Sequence, residues 1–469
     1  MTAITQQAFV VWWKDLERWV VPRRMLLAAQ LPNGWSLVRV GQLIRRVEER
    51  VRVEAEKEYK MVGVKWYGEG TFHRETVRGD SLSATYVAPV MPNAVIYNRL
   101  FAWKGSFAVV PEEHRDCFVS NEFPQFIVDE ERILPRYLYL FFMCDSTIKA
   151  VNASSIGSAA VSRNRFKEDE FLDFEIPLPP MPTQRAIVAQ WDKARIEIAE
   201  TRRRVERLKA EIDARFFKDL GLTPPEEAVQ VKCFGILWKD FQRWSVSYNQ
   251  AARAGADLLQ CKYPIVDLGS VLELIQYGTS EKANTREEGV PILRMNNIVD
   301  GVLDTRDLKY VRLPEKERAR LLLRDGDILF NRTNSKELVG KCAVFHEAGD
   351  YIFASYLIRL RPVAMKVLPA FLAFVVNSPV GRSQIDALSR QIIGQANVNT
   401  DELRSLQIPV PPLTVQQAIM RRVDEGRVAI AKEREKARTL AAAVQQEVDE
   451  MILGTRPVPG LDRWSEGHA

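Results

Sequence analysis

From Ile187 onward, apolar residues return after four positions and then three: Ile187, Trp191, Ala194, Ile198, Thr201, Val205, Leu208 and Ile212. That alternation is a heptad seam, the pattern of a helix packed lengthwise on another. Pro177, Pro179, Pro180 and Pro182 block helix before Thr183, a good N-cap, and Gly221 with Pro224 and Pro225 ends the run. The spacing therefore predicts a long helix over 183–222. A second run follows Pro409, Pro411 and Pro412, takes Thr414 as its cap, and keeps Ile419, Val423, Ile430, Ala437, Leu440, Val444 and Met451 in register up to Gly454. It predicts a helix over 413–454. Two matched seams in one chain predict an intramolecular antiparallel pair, each helix about 55 Å long at ~1.5 Å per residue. Arg202, Arg203, Arg204 and Arg207 on the flanks keep the outer face in solvent.

The two runs belong to a tandem duplication. IPLPPMPTQ at 176–184 recurs as IPVPPLTVQ at 408–416, an offset of 232 residues (176 to 408). The same offset carries Asp192 onto Asp424, Ile198 onto Ile430, Ala199 onto Ala431 and Leu208 onto Leu440 without a gap. Upstream, WKDLERW at 13–19 recurs as WKDFQRW at 238–244. Between these anchors agreement is thinner: Tyr97, Asn98 and Arg99 meet Phe330, Asn331 and Arg332, while Pro135 and Leu138 meet Pro369 and Leu372. The expected order is a module at 1–182, a helix at 183–222, a module at 223–412, a helix at 413–454 and a tail at 455–469.

Inside the modules the period drops towards two, and short apolar runs lie between Gly, Asp and Asn turns. The runs beginning at Val290, Gly326, Cys342 and Tyr356 read as strands, followed by helix over 368–376 and a second helix beyond Pro379. In the first module, the runs beginning at Ala94, Phe107 and Phe126 hold comparable places. The fold class expected is mixed α+β: two globular α/β modules separated by two long antiparallel coiled-coil helices, with pseudo-two-fold repetition.

Composition alters this picture little. The chain has 469 residues, 46% hydrophobic and 27% charged, with 66 Lys and Arg against 61 Asp and Glu for a net charge of +5. Those are values of an ordinary globular protein, and so mild a basic excess does not by itself announce nucleic acid, since a few local Lys and Arg suffice for phosphate. No run approaches the ~20 apolar residues of a membrane helix. The N-terminus meets charge and tryptophan at once and is not expected to be a signal peptide. The cysteines (Cys117, Cys144, Cys233, Cys261 and Cys342) are scattered and odd in number, which disfavours a disulfide framework and fits a reducing cytoplasm. No phosphate-binding Gly-Lys loop, HExxH pair or Cys/His cluster appears, and His73, His114, His346 and His468 stand alone. Asp325 and Asp327 flank a glycine before a strand and read as turn residues. No catalytic residue and no metal site is expected.

Polar clusters follow several strands. Asn331, Arg332, Thr333, Asn334, Ser335 and Lys336 form one, Arg294, Asn296 and Asn297 another. Gln395, Asn397 and Asn399 would share a face if extended. In the first module the counterparts are Lys65, Trp66 and Tyr67; Asn98 and Arg99; Trp103, Lys104 and Ser106; and Arg163, Asn164 and Arg165. Arg can fork onto guanine and Asn onto adenine, while Ser, Thr and Lys hold phosphate. Asn, Ser and Gly after strands also make ordinary turns. Recurrence in both modules favours one nucleic-acid-facing surface on each.

The doubled proline-to-helix junctions, with PILRMNNIVDGVLD, GDILFNRTNSKELVGKCAVF and FASYLIRL in the second module, resemble the specificity subunits of Type I restriction–modification enzymes. GVKWYGEGTFHRE and FAWKGSFAVV in the first module resemble a different type of recognition domain from the same family. That resemblance implies a non-catalytic subunit whose two target-recognition domains each read half of a bipartite, asymmetric double-stranded DNA site. The helices would set the spacer and dock two methyltransferase subunits. S-adenosylmethionine for adenine methylation, and ATP and Mg for restriction and translocation, would belong to partner subunits, with no cofactor on this chain and no membrane. The doubled WKD-x-x-RW segment is no hallmark of that family; a helix packing near the opposite module is its expected role. A DNA-binding scaffold of another defence system would use the same frame, and a methylase or nuclease would need a site that these motifs do not supply.

Overall fold

The computed structural model describes residues 31–154, 165–224, 258–334, 339–388, 390–392 and 395–460. Both copies of the WKD-x-x-RW segment lie outside these residues, as do Cys233, Arg163, Asn164, Ser335 and Lys336. The chain divides into two compact units, one of residues 1–202 with 435–469 and the other of 203–434. Two forty-residue helices, Met181–Leu220 and Leu413–Ile452, both run through that division. Each unit therefore holds one module and one end of each helix, which crosses the module-then-helix boundaries expected from the repeat.

The helices begin earlier than their expected caps. The first starts at Met181, because Pro182 sits in the first turn, where a missing N–H costs nothing. The second starts at Leu413, one residue before Thr414. Both end in the same left-handed glycine motif: Gly221 with the Leu222 amide on the Phe217 carbonyl (2.9 Å), and Gly454 with the Thr455 amide on the Glu450 carbonyl (2.9 Å).

Within each unit the two helix segments run antiparallel. In the first, Gln190 meets Glu447 (3.3 Å) and Glu197 meets Lys436 (3.2 Å). In the second, Arg204 meets Glu433 (3.3 Å), and a Cβ placed on Gly426 would come within 2.6 Å of Ile212. Ile187, Ala194, Thr201, Val205, Ile419, Val423, Ile430, Val444 and Met451 of the seam are buried. Trp191, Ile198, Leu208, Ile212, Ala437 and Leu440 are half-buried, while Arg202, Arg203, Arg204 and Arg207 are exposed.

The module frames repeat strand for strand. A two-stranded ribbon, Ser36–Arg39 with Glu175–Leu178, is matched by Ile265–Asp267 with Gln407–Pro409. A four-stranded antiparallel sheet runs Ile44–Arg46, Gln125–Val128, Val95–Tyr97, Phe107–Val109 in the first module. In the second the same order is filled by Leu272–Tyr277, Leu357–Pro362, Ile328–Asn331 and Cys342–Val344. Two helices follow each sheet: Pro135–Met143 and Asp145–Ser154, then Pro369–Asn377 and Pro379–Leu388.

Val95, Ile96 and Tyr97 in one central strand and Ile328, Leu329 and Phe330 in its counterpart are apolar without alternation because both faces are covered. Val95 and Tyr97 join a core with Phe142 and Phe171 (ring centroids 4.6 Å apart), while Ile96 joins a second core with Val62 and Val119. Ile328 and Phe330 likewise face Phe371 and Phe374, with Leu329 turned to Phe353 and Ile292. Those second cores come from inserted sheets, and here the modules part. The first carries five strands (Val51–Arg52, Tyr86–Pro89, Phe118–Val119, Glu58–Val64, Thr71–Arg78). The second has three separate smaller pieces, one being Thr333–Asn334, Gln395–Asn397 and Arg390–Ile392.

Asp327, expected in a turn, is fully buried and grips the Arg361 guanidinium through both oxygens (2.6 and 2.7 Å) with Arg359 beside it at 3.6 Å. Burial pushes the Arg359 guanidinium down to about 10. Asp325 stays at the surface against His346 (2.7 Å). The cysteines among the described residues are unbridged, three of them buried.

One polar clamp is copied intact. Gln184 accepts from the Leu134 amide (2.9 Å) and donates to the Arg132 and Pro179 carbonyls (both 2.9 Å). Gln416, 232 residues on, accepts from Leu368 (2.8 Å) and donates to Lys366 (3.0 Å) and Pro411 (2.8 Å). Both side chains are fully buried. Gln416→Leu leaves three buried or part-buried backbone groups without their partner and should destabilise its unit by about 3 kcal/mol, lowering its melting temperature by roughly 5–10 °C. Gln184→Leu should do the same in the other unit, while the exposed neighbour in Gln417→Leu should have no effect. Equal melting curves for the three variants would remove the clamp from this account.

Candidate nucleic-acid interface

In the first module the strands Glu58–Val64 and Thr71–Arg78 form a hairpin whose tip, 65–70, is pinned by backbone bonds. The Tyr67 amide donates to the Lys104 carbonyl and the Gly68 amide to that of Gly105, both at 2.9 Å. Gly68 is left-handed and tightly enclosed: a Cβ there would lie 2.5 Å from the Tyr139 hydroxyl, which itself donates to the Gly68 carbonyl (2.9 Å). The tip is thus docked on the turn Ala102–Lys104, and side chains far apart in sequence meet there.

The Lys104 ammonium lies 3.7 Å from the centre of the Trp66 ring and 5.0 Å from that of Trp103. Lys65 lies 6.0 Å from that of Phe72. Trp66 and Tyr67 are 41% and 72% exposed, unusual for rings of that size. Among the described residues neither lysine pairs with a carboxylate. The tip and the turn beneath it offer exposed aromatic rings together with two ammonium groups, which suits bases or sugars flanked by phosphate.

The other candidates of this module serve its own fold. Asn98 is buried and accepts from the Leu100 amide (3.0 Å); Ser106 is buried and donates to the Val64 carbonyl (3.0 Å). Arg99 is held by Glu168, which also takes Arg46 at 3.2 Å, and burial lowers the Arg99 guanidinium from its ordinary value. Arg165 is more exposed but paired with Glu122 (2.6 Å).

In the second module two clusters separated by sixty residues of sequence become one. Thr333–Asn334 pairs with Gln395–Asn397, and the Thr333 hydroxyl meets the Asn397 side-chain oxygen at 3.1 Å. Just before them the Arg332 guanidinium lies 4.9 Å from the centre of the Tyr277 ring. Its backbone is fixed on both sides, the amide on the Tyr356 carbonyl (3.0 Å) and the carbonyl under the Val398 amide (3.0 Å). Tyr277 is 37% and Tyr356 52% exposed.

Two expected contributors face inward here, and a third serves as a helix cap. Asn331 is buried in the central strand. Asn297 is buried and donates to the Asp304 (2.8 Å) and Asp307 (3.0 Å) carbonyls. Asn399 lies beyond the end of the strand Gln395–Asn397; it caps the helix Thr400–Arg404, accepting from the Asp401 and Glu402 amides (2.9 and 2.8 Å). Arg294 is tied to Asp307 (3.3 Å), and Asn296 is exposed beside it. Tyr277 and Tyr356 escaped the sequence reading because an aromatic at a strand end reads as core; Gly278 and Ser355 beside them are the local hints.

The two assemblies share one address. Lys104 and Arg332 both lie in the connection between the same two strands of the repeated four-stranded sheet, Val95–Tyr97 to Phe107–Val109 and Ile328–Asn331 to Cys342–Val344. Their aromatic partners differ in origin: Trp66 comes from the inserted sheet, and Tyr277 from the end of an edge strand.

The comparisons with known proteins agree with this doubled frame. The chain is 26% identical over 277 residues to the Type I restriction enzyme EcoKI specificity subunit of Escherichia coli K12, covering 58% of this chain and 55% of that one. It is 25% identical over 298 residues to the StySPI specificity subunit of Salmonella potsdam, covering 63% and 59%. The match thus spans little more than half the length of these curated relatives. A solved structure described as the structural basis of complex assembly and conformational transition of the type I R-M system shares the fold, at TM-score 0.52 and 16% identity over 91% of this chain and 99% of that one. The profile described as Type I restriction modification DNA specificity domain matches twice, at 32–207 and 262–437. Two matches covering most of the chain, one on each copy of the duplicated frame, establish that it belongs to the Type I restriction–modification DNA specificity family.

Proposed function

We propose that this chain is the non-catalytic specificity subunit of a Type I restriction–modification complex, and that each module reads one half of a bipartite DNA site. The observation that carries this reading is the exposed cation-on-aromatic assembly at the same address in both modules. Arg332 and Lys104 supply charge for phosphate or a base edge, and the rings supply stacking or groove contact. Because one ring comes from an inserted sheet and the other from the end of a frame strand, the two half-sites differ and the target is asymmetric.

The partners follow from the duplication. Ile196 is 61% exposed on the first helix and Val428 70% exposed on the second, and 232 residues separate them, the offset of the repeat itself. Matched solvent-facing aliphatics on otherwise polar helix faces favour two copies of one partner, which we assign to methyltransferase subunits. Those subunits would carry S-adenosylmethionine and methylate adenine, and restriction subunits would bring ATP and Mg. Among the described residues no helix is long and apolar enough to cross a membrane.

Replacing residues 290–400 by another recognition domain should change one half of the target, scored by genome-wide mapping of methylated adenines; a change in both halves defeats the one-module, one-half assignment. Lengthening both helices by one turn, about 5.4 Å, should widen the spacer by one or two base pairs of ~3.4 Å. An unaltered spacer would mean that the helices are not the ruler. Ile196→Asp and Val428→Asp should each reduce a complex of two methyltransferase subunits to one by native mass spectrometry, and together abolish assembly. Retention of both subunits by the double variant would place the docking surface elsewhere.

A further inference from the structure

Tyr67 combines three properties that seldom coincide. Its ring is the most exposed of the large aromatics among the described residues, at 72%. Its backbone is left-handed, φ 56°, a conformation that bulky side chains avoid. And its peptide is immobilised, with its own amide and that of Gly68 both bonded to the turn below and Gly68 enclosed by Tyr139 and Met143. Among the described residues the other non-glycine positions with positive φ, Asn93, Glu287 and Asp300, are polar. Strain of this kind persists only where surrounding structure enforces it, and it collects at functional sites.

The strain buys no packing. The Tyr67 ring touches Trp66 edge-on at 6.5 Å, whereas Trp66 itself leans on Phe101 at 5.1 Å. A relaxed tip would let the tyrosine fold back over these neighbours; the enforced backbone holds it outward. Lys65 lies two residues before it in the same tip and Lys104 on the turn that its amide is bonded to, with the Lys104 ammonium over the neighbouring Trp66 ring, so a polyanion drawn to the lysines comes to the tip that carries the ring. A rigid ring loses little freedom on binding, which favours insertion over a loose surface contact.

We infer that Tyr67 is a wedge that inserts against a base step of the half-site read by the first module, unstacking it while Lys65 and Lys104 hold the flanking phosphates. This rests on the DNA-reading function proposed above. Insertion of this sort opens a base step and bends the duplex, and the cost is met by the added stacking and phosphate contacts.

The test uses the full chain assembled with its methyltransferase subunits and a duplex carrying the mapped target, with 2-aminopurine placed in turn at each position of the first module's half-site. Wild type should raise fluorescence several-fold at one step other than the methylated adenine. Tyr67→Phe should keep that signal. Tyr67→Gly, which relieves the backbone while removing the ring, should lose it and weaken binding about tenfold, yet melt no lower than wild type. Binding with no such signal in wild type, or a signal that survives Tyr67→Gly, overturns the wedge and leaves DNA reading intact. If wild type fails to bind the duplex at all, the specificity function falls and the wedge with it.

Discussion

Neither module closes its own core; each depends on helix ends brought from two distant stretches of chain. In the first unit the aromatic helix Pro135–Met143 is sealed by Ile187 and Ala194 from one helix and by Val444, Val448, Met451 and Ile452 from the other. In the second, Phe371 and Phe374 pack against Phe216, Phe217 and Leu220, with Ile419, Met420 and Val423 completing the wall. Burying these side chains is the dominant favourable term in such a fold, so a helix end is part of the module it touches. The glutamine clamps lock this arrangement by satisfying the backbone groups where the chain turns from module into helix.

That dependence explains why the frame is copied and the inserted sheets are not. The strand order, the ribbon, the paired helices and the clamp all face the helix ends, and a change in any of them would open a core. The inserted sheets cover only the far face of the central strands, where Ile96 and Leu329 accept several kinds of apolar neighbour. Divergence is tolerated on that side, and that is where Trp66 and Tyr67 stand.

The seam and the duplication were legible in the sequence because both are local repetitions. A heptad needs no knowledge of the partner helix, and the 232-residue offset is read by comparison alone. The candidate interface was legible in part. Lys65, Trp66, Tyr67, Trp103, Lys104 and Arg332 lie in exposed or half-exposed assemblies, while Asn98, Ser106, Asn297 and Asn399 are spent on backbone groups. The same short polar side chains that can read a base are those that satisfy turns and helix ends, and only tertiary placement separates the two uses. Strand pairing across sixty residues joined Thr333 to Asn397, and no local pattern announces such a partner.

The division of the units also sets an order of completion during synthesis. The second unit is one unbroken stretch, 203–434, so all its core residues have been made by the time Val423 leaves the ribosome. The first unit waits for the chain beyond 435: until Val444, Val448 and Met451 appear, Ile187 and the faces of Tyr137 and Phe141 near them lack their cover. The module translated first is thus finished last, and its apolar helix stays vulnerable to chaperones, proteases and aggregation for as long as it takes to make the second.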